Sequence, residues 1–577
     1  MSYRIILEDA FKHYTLDQDK TLSPRETVKR FRDRLKHADL DILDKTKRID
    51  NGRLDIPVFF SQCGKDAREI IGTKKQMGKG GTPEQAEASA VMELAERFSF
   101  FSFCKNPKNF VVGTAAEMKD RALPFTAIAK SVHDTSKELD TTRRIYETLS
   151  MKWTWGFNLT RNEPVLIPFD WFFAINEFNG PSAGNCAEEA ISQGICEIVE
   201  RHVSSLVSQQ KIPVPSIRPD SVTDPLVKEL LGKYQANHIR LFLSDFSQDM
   251  GIPSVGVLAY DPDTFPEKSE IVWTAGTTPD PQKALSRALT ETAQLAGDFN
   301  SGANYVASGL PKLRDLASAR FIMEPQAEIS IEALPNISHA NIKVEVQNCV
   351  AALGQRGFDV LLINTTHSQL DIPAFYTIIP GAHFRERAAG TSVGMFSAKL
   401  ITESNPPESA YTKLLEMDRL LSEKYYVQFY MGACLLAMGR PEKALTALDR
   451  ARRLDPPAQD IPSIYSYLGL AHKEMGSWEK ALEALKKGEA YDSERTDIYN
   501  LMGFCHFKLK QHEQAIENFA RVLDLNPGSA IDYANIGSNY REMGEKEKAI
   551  YFYEVALSLD PSIEFARVNL GRLKHAK

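Results

Sequence analysis

Three stretches of the chain carry apolar residues at helical spacing, and charge interrupts each at the same places. "AEASAVMELAER" begins at Ala86, "AISQGICEIVER" at Ala190 and "ALSRALTETAQL" at Ala284. Seven residues after each opening alanine stands a glutamate: Glu93, Glu197 and Glu291. Three residues further come Glu96, Glu200 and Gln294. Residues three and four apart share a helix face, so Ser89, Glu93, Glu96 and Arg97 form one polar stripe. Asn185, Glu189, Glu197 and Glu200 form a second, and Arg287 with Glu291 a third. Solvated surface charge has no reason to keep register over three copies. The pattern therefore predicts three packed helices whose stripes serve one site. Turn-forming sequence opens each helix, and Pro83 and Pro281 sit where a first helical turn accepts proline.

Between these helices the apolar positions shorten into strand-like runs: "RIYETLS", "MKWTWGFNL", "PVLIPFDWFFAI", "HIRLFLSDF", "IPSVGVLAY", "EIVWTAGTT" and "DVLLINTT". The succession predicts an α+β domain, with helices packed on mixed sheets and an internal pseudo-repeat. It lacks the regular alternation of a TIM barrel.

After residue 405 the period changes. Gly432, Gly469, Gly503 and Gly537 occupy matching contexts, with Gly571 as a fifth, and Ala444, Ala481, Ala515 and Ala549 run in parallel. Pro456, Ser493, Pro527 and Pro561 close the phrases. A 34-residue period with small residues at a helix crossing and proline at the exit resembles the tetratricopeptide repeat. This predicts an all-α solenoid of about four repeats over 406–577, with a lead-in helix near Ser409–Lys424 and a C-terminal capping helix. Such an array either docks a partner protein or supports a homodimer.

The bulk numbers narrow the classes. A net charge of −7 argues against a general nucleic-acid binder. No apolar run approaches the ~20 residues of a membrane span, and the start shows no signal-peptide pattern. Seven cysteines without a CxxC pair read as reduced thiols in a cytoplasmic protein rather than a disulfide or zinc framework.

In the three stripes, six carboxylates (Glu93, Glu96, Glu189, Glu197, Glu200, Glu291) face three arginines (Arg97, Arg201, Arg287). Buried carboxylates need compensating charge. The excess implies bound cations, and all-oxygen ligands favour Mg²⁺, which commonly accompanies a phosphate substrate. "GKGG" (Gly78–Gly81) offers backbone amides, Lys79 and a helix start for phosphate, without the spacing of a Walker A loop.

"GKGGTPEQAEASAVMELAERFS", "SAGNCAEEAISQGICEIVERHVS", "ALSRALTETAQ" and "FYTIIPGAH" resemble, in order and spacing, the signature stretches of the YcaO family. The resemblance spans roughly residues 20–400, and 1–405 is read as its catalytic domain. It implies an ATP- and Mg²⁺-dependent enzyme that phosphorylates the oxygen of a peptide backbone amide after a nucleophile adds, releasing ADP and phosphate. By motif match, Glu93, Glu96, Glu189, Glu197 and Glu200 are implied Mg²⁺ ligands. Lys79, Ser89, Asn185, Arg201, Arg287 and Glu291 are implied nucleotide contacts. Glu197, Glu200 and Arg201 are implied to be closest to the chemistry. Azoline-forming members end in a P-x-P-x-P tail, whereas this chain ends "NLGRLKHAK", and no leader-recognition module is seen before residue 20. Both points favour a stand-alone member over a cyclodehydratase. The expected activity is thioamidation or a related modification of a peptide or ribosomal protein, with a partner protein that delivers sulfur or presents the substrate. The alternatives are a nucleotide-binding adaptor acting through its repeats and a different ATP-dependent ligase. Cys186 and Cys196, beside site residues, are read as packing. His383 is read as structural in preference to a general base, and Phe98–Phe103 as core.

Overall fold

The computed structural model describes residues 3–50, 52–72, 76–211, 213–296, 299, 310–384 and 391–575. The chain divides into two compact units. One comprises 1–139 and 147–393, the other 140–146 and 394–577. The division falls ahead of residue 405, and the short segment 140–146 is counted with the repeats.

Three sheets build the first unit. Leu43–Arg48, Val58–Cys63 and Gln76–Lys79 form an antiparallel three-stranded sheet. A five-stranded sheet runs Val272–Thr277, Ser254–Tyr260, Arg240–Asp245, Ser216–Ile217, Glu328–Ile329, and its last pair is parallel. A six-stranded sheet runs Val111–Gly113, Met151–Asn158, Leu361–Asn364, Ala374–Ile378, Pro181–Ala183, with Glu163–Pro168 also paired to Met151–Asn158. The expected α+β class with mixed sheets holds. One run differs: "RIYETLS" supplies the end of the helix Leu139–Glu147 instead of a strand. Its buried residues Thr142, Ile145 and Tyr146 are spaced three and four apart, a helical face.

Each sheet launches one acidic helix from an edge strand. Gln76–Lys79 leads into Pro83–Lys105, Pro181–Ala183 into Ala187–Gln210, and Val272–Thr277 into Pro281–Ala296. Each connection has three residues: 80–82, 184–186 and 278–280. The crossing of strand and helix is close in all three. A Cβ on Gly78 would lie 2.0 Å from the Ala90 nitrogen and 2.3 Å from the Ala86 oxygen. A Cβ on Gly276 would lie 2.3 Å from the Ala284 oxygen and 2.8 Å from the Ala288 nitrogen, in the same register. In the second copy the strand residue is Ser182 and the glycine is on the helix: a Cβ on Gly194 would lie 2.8 Å from Ser182 Oγ.

The second unit contains four helix pairs: Tyr425–Ala437 with Pro441–Arg453, Ile461–Glu474 with Trp478–Tyr491, Thr496–Lys508 with His512–Leu525, and Ala530–Glu542 with Lys546–Leu559. Pro407–Leu420 precedes them and Glu564–His575 follows. The periodic glycines have one job. Gly432, Gly469, Gly503 and Gly537 seat Leu448, Leu485, Phe519 and Tyr553 of the paired helix, each sixteen residues on. Gly571 has nothing against it and closes no pair.

Candidate functional site

The three polar stripes meet in one pocket of the first unit. Ser89, Glu93, Glu96 and Arg97 line it from the first acidic helix. Glu189, Glu197 and Arg201 enter from the second, with Asn185 just before it, and Arg287 and Glu291 from the third. Lys79, at the end of its strand, also lines it. Glu200 alone lies beneath the surface, 1% exposed.

Ion pairs tie the helices together. Arg287 Nε donates to Glu200 Oε2 at 3.1 Å, and Arg201 Nη1 lies 3.4 Å from Glu200 Oε1. Lys79 pairs with Glu291 and so joins the first strand to the third helix. Burial opposes the charge on Glu291, but Lys79, Arg201 and Arg287 outweigh it and hold the carboxyl below its ordinary range. Glu93 accepts a hydrogen bond from the Met77 nitrogen at 3.1 Å, and Glu197 one from the Gly180 nitrogen at 3.3 Å. Burial raises the Glu93 carboxyl and pushes that of Glu96 well above the carboxylate range, although Arg97 opposes both shifts.

Glu189 has a different part. Its Oε1 accepts from the backbone nitrogen and hydroxyl of Thr21, both at 2.6 Å. Its Oε2 accepts from the backbone nitrogen of Asn185 at 2.9 Å and from its side-chain amide at 3.1 Å. Both oxygens are thus occupied, and Glu189 fixes Asn185 and the segment around Thr21.

Two expectations change. "GKGG" is not a phosphate loop: Gly78 and Lys79 belong to a paired strand, and the Gly81 nitrogen donates to Asp17 Oδ2 at 2.8 Å. Gly78 and Gly80 permit close packing on the helix instead, and Gly81 packs against Leu226. The charge count also shifts. The same six carboxylates face Lys79 and Lys20 as well as Arg97, Arg201 and Arg287, six against five. Among the described residues no three His, Cys, Asp or Glu side chains converge tightly enough to hold a metal ion. The pocket still fits a cation that arrives with a nucleotide. Glu200 Oε1 is buried without a hydrogen bond, and burial raises its carboxyl and that of Glu96.

Sequence reasoning missed the N-terminal wall, where Gln18, Lys20, Leu22 and Thr27 line the pocket. It also missed Gln193, whose amide oxygen accepts from Arg287 Nη1 at 2.9 Å when turned toward it. The segment around Gln18 has no periodicity to flag it, whereas Gln193 stands four residues before Glu197, the position that Ser89 and Arg287 hold in the other two copies, so the register could have found it. The remaining candidates pack. Burial lifts the Cys186 thiol to about 12, and Cys196 is buried. His383 stacks on His133 at 3.8 Å and on His202 at 5.2 Å, outside the pocket. Of the run Phe98–Phe103, Phe98 and Phe100 are buried, as expected of core, whereas Phe101 and Phe103 are only half-buried. No helix of the described residues is long and apolar enough to cross a membrane.

Comparison with known proteins identifies the family. Residues 77–383 match the family model described as YcaO cyclodehydratase, ATP- and Mg²⁺-binding. Residues 426–457 and 494–562 match tetratricopeptide-repeat models. An uncharacterized protein of Methanothermobacter thermautotrophicus is 26% identical over 383 residues, 63% of this chain and 94% of that one. The ribosomal protein S12 methylthiotransferase accessory factor YcaO of Escherichia coli is 31% identical over 146 residues, 25% of this chain and 24% of its own. Among solved structures, YcaO from Methanopyrus kandleri bound with AMPPCP and Mg²⁺ superposes with a TM-score of 0.51 at 24% identity, covering 65% of this chain and 95% of that one. A heterocyclase in complex with substrate and cofactor superposes at 0.53 and 22%, covering 66% of this chain but 54% of its own. These last two likenesses concern the fold. With a family model matching more than half its length, the chain belongs to the YcaO family, whose cofactors are ATP and Mg²⁺, and it carries tetratricopeptide repeats after that domain.

Proposed function

We propose that this chain uses ATP to activate a peptide backbone amide, leading to thioamidation or a related modification of a peptide or ribosomal protein. The observation that carries the reading is the meeting of three matched stripes, separated by about a hundred residues each, in one pocket, with Glu200 buried beneath it and one of its oxygens accepting no hydrogen bond. Lys79, Ser89, Asn185, Arg201, Arg287 and Glu291 would hold and align the triphosphate, where phosphoryl transfer gains most from positioned charge. Lys20 joins them from the N-terminal wall. Glu93, Glu96, Glu197 and Glu200 would hold Mg²⁺, with Glu189 as the positioning residue for Asn185. Bound Mg²⁺ would neutralise the phosphate charge. The near balance of six carboxylates and five cations suits a nucleotide that enters together with its metal.

In the reaction, hydrosulfide adds to the amide carbonyl carbon, and the resulting oxyanion takes the γ-phosphoryl group, releasing ADP. The phosphorylated oxygen then leaves as phosphate with the proton of the hydrosulfide, and the C=S bond closes. The amide oxygen therefore ends in phosphate. A peptide labelled with ¹⁸O at the amide, incubated with ATP, Mg²⁺ and sulfide, should yield labelled phosphate, and unlabelled phosphate would refute the reading. The name of the Escherichia coli relative supports a ribosomal-protein target. The repeats support a presenting or sulfur-delivering partner. The tetratricopeptide repeats favour one second reading, a nucleotide-binding adaptor working through them. Nucleotide binding without turnover, with partner and substrate supplied, would decide for it.

A further inference from the structure

The strand Met151–Asn158 has an incomplete edge. On one side it pairs with Glu163–Pro168 along residues 153–158. On the other, Val111–Gly113 covers residues 151–153, and Leu361 and Leu362 cover 157 and 158. Thr154, Trp155 and Gly156 have no strand partner on that side among the described residues. At ~3.3 Å per residue the gap is roughly 10 Å long, three extended residues. A cleft of about 640 Å³ opens over it.

The cleft is built for a polar ligand. The hydroxyls of Ser99, Ser102 and Thr365 line it without a hydrogen-bond partner, and Ser99 and Thr365 are each 1% exposed. Leaving a buried hydroxyl unpaired is destabilising, and a ligand donor or acceptor offsets that loss. Among the described residues the lining contains no Asp or Glu, whereas Arg4, Lys108 and His367 all contribute to it. That is the reverse of the acidic nucleotide pocket. Val111 and Val112, on the flanking strand, are 53% and 68% exposed. Open strand edges pair with extended chain, and alternate side chains then enter pockets.

We propose that this cleft binds an extended, acid-bearing peptide segment by strand addition at Thr154–Gly156. Backbone pairing fills the gap, a carboxylate of the segment meets Lys108 and Arg4, and polar groups satisfy Ser99 and Thr365. The segment flanks the reacting amide of the substrate, so the inference rests on the peptide reading above. Ser99 lies three residues beyond Glu96 on the same helix, roughly 4.5 Å along its axis.

The test is fluorescence anisotropy with the full chain and a labelled synthetic peptide, Thr-Val-Glu-Val-Glu-Val-Thr, with the same peptide carrying Lys for Glu as control. Saturable binding of the acidic peptide is expected, at least tenfold weaker with Lys108→Glu and at least threefold weaker with Thr365→Val. Thr365→Val removes an unpartnered hydroxyl and should leave the melting temperature equal or higher, so weaker binding is not a loss of fold. Glu197→Gln, in the nucleotide pocket, should bind the peptide normally. Peptide binding without any amide product from the wild type leaves this inference standing while the functional reading falls. Absent binding, equal binding of the lysine peptide, or insensitivity to Lys108→Glu overturns it. So does binding seen only after Tyr3→Ala, because the Tyr3 ring stacks on Trp155 at 4.8 Å and the chain's own N-terminal segment would then be the occupant.

Discussion

Arg287 Nε and Glu200 Oε2 meet at 3.1 Å, joining side chains 87 residues apart on the third and second acidic helices. Glu291 also faces Arg287, so the guanidinium keeps an anion if Glu200 loses its charge. Glu200→Gln and Glu197→Gln are therefore expected to lower Mg²⁺–ATP affinity at least tenfold while the melting temperature moves by only a few degrees. Titration calorimetry and thermal denaturation check this. A collapse of stability with intact affinity would make the pair structural.

Glu189 and Asn185 act as a unit, since one carboxylate oxygen receives both donors of Asn185. Asn185→Ala and Glu189→Gln should weaken nucleotide binding by similar factors. The double variant should be scarcely worse than either single one, because interacting residues are not additive. Full additivity in a nucleotide titration would separate their roles.

Gly78 and Gly232 offer a matched comparison. A Cβ on Gly78 would sit 2.0 Å from backbone of the first acidic helix, whereas one on Gly232, within the helix Pro225–Ala236, meets nothing within 4 Å. Gly78→Ala should destabilise by about 1–3 kcal/mol or more, as overpacking does. Gly232→Ala should stabilise by up to about 1 kcal/mol, the helix-propensity difference. Denaturant unfolding of the two variants reads both signs.

The stack of His133, His202 and His383 predicts an acid-labile fold. Burial lowers His133 to about 4 and His202 to about 3, with His383 and Lys130 adding to both shifts. Below the ordinary histidine value of 6.5 the unfolded chain takes up protons that the folded chain refuses. The stability carried by the neutral rings is thus complete above pH 6.5 and is lost as pH falls toward about 4. His133→Phe keeps a stacking ring and should flatten the decline of melting temperature between those values. An unchanged acid limb would assign the loss to other groups.

Much of this was legible in the amino-acid order. The 34-residue glycine period reported the repeat unit because every such glycine seats a large side chain sixteen residues on. The register of Glu93, Glu197 and Glu291 reported one shared site because each strand–turn–helix copy has the same three-residue connection. The second copy shows where such reading stops. There the close crossing is kept by Gly194 on the helix and Ser182 on the strand, and a search for matching glycines passes over it.

By itself, the sequence determined the periods: which residues share a helix face, where the solenoid repeats, and which carboxylates belong together. Tertiary structure decided the partners. It put Gly78 and Lys79 of "GKGG" in a packed strand, spent Glu189 on Asn185 and Thr21, and brought Lys20 to the pocket. The reason is physical. Periodicity follows from local backbone geometry over a few residues. A donor and an acceptor more than a hundred residues apart meet only when sheets and helices pack.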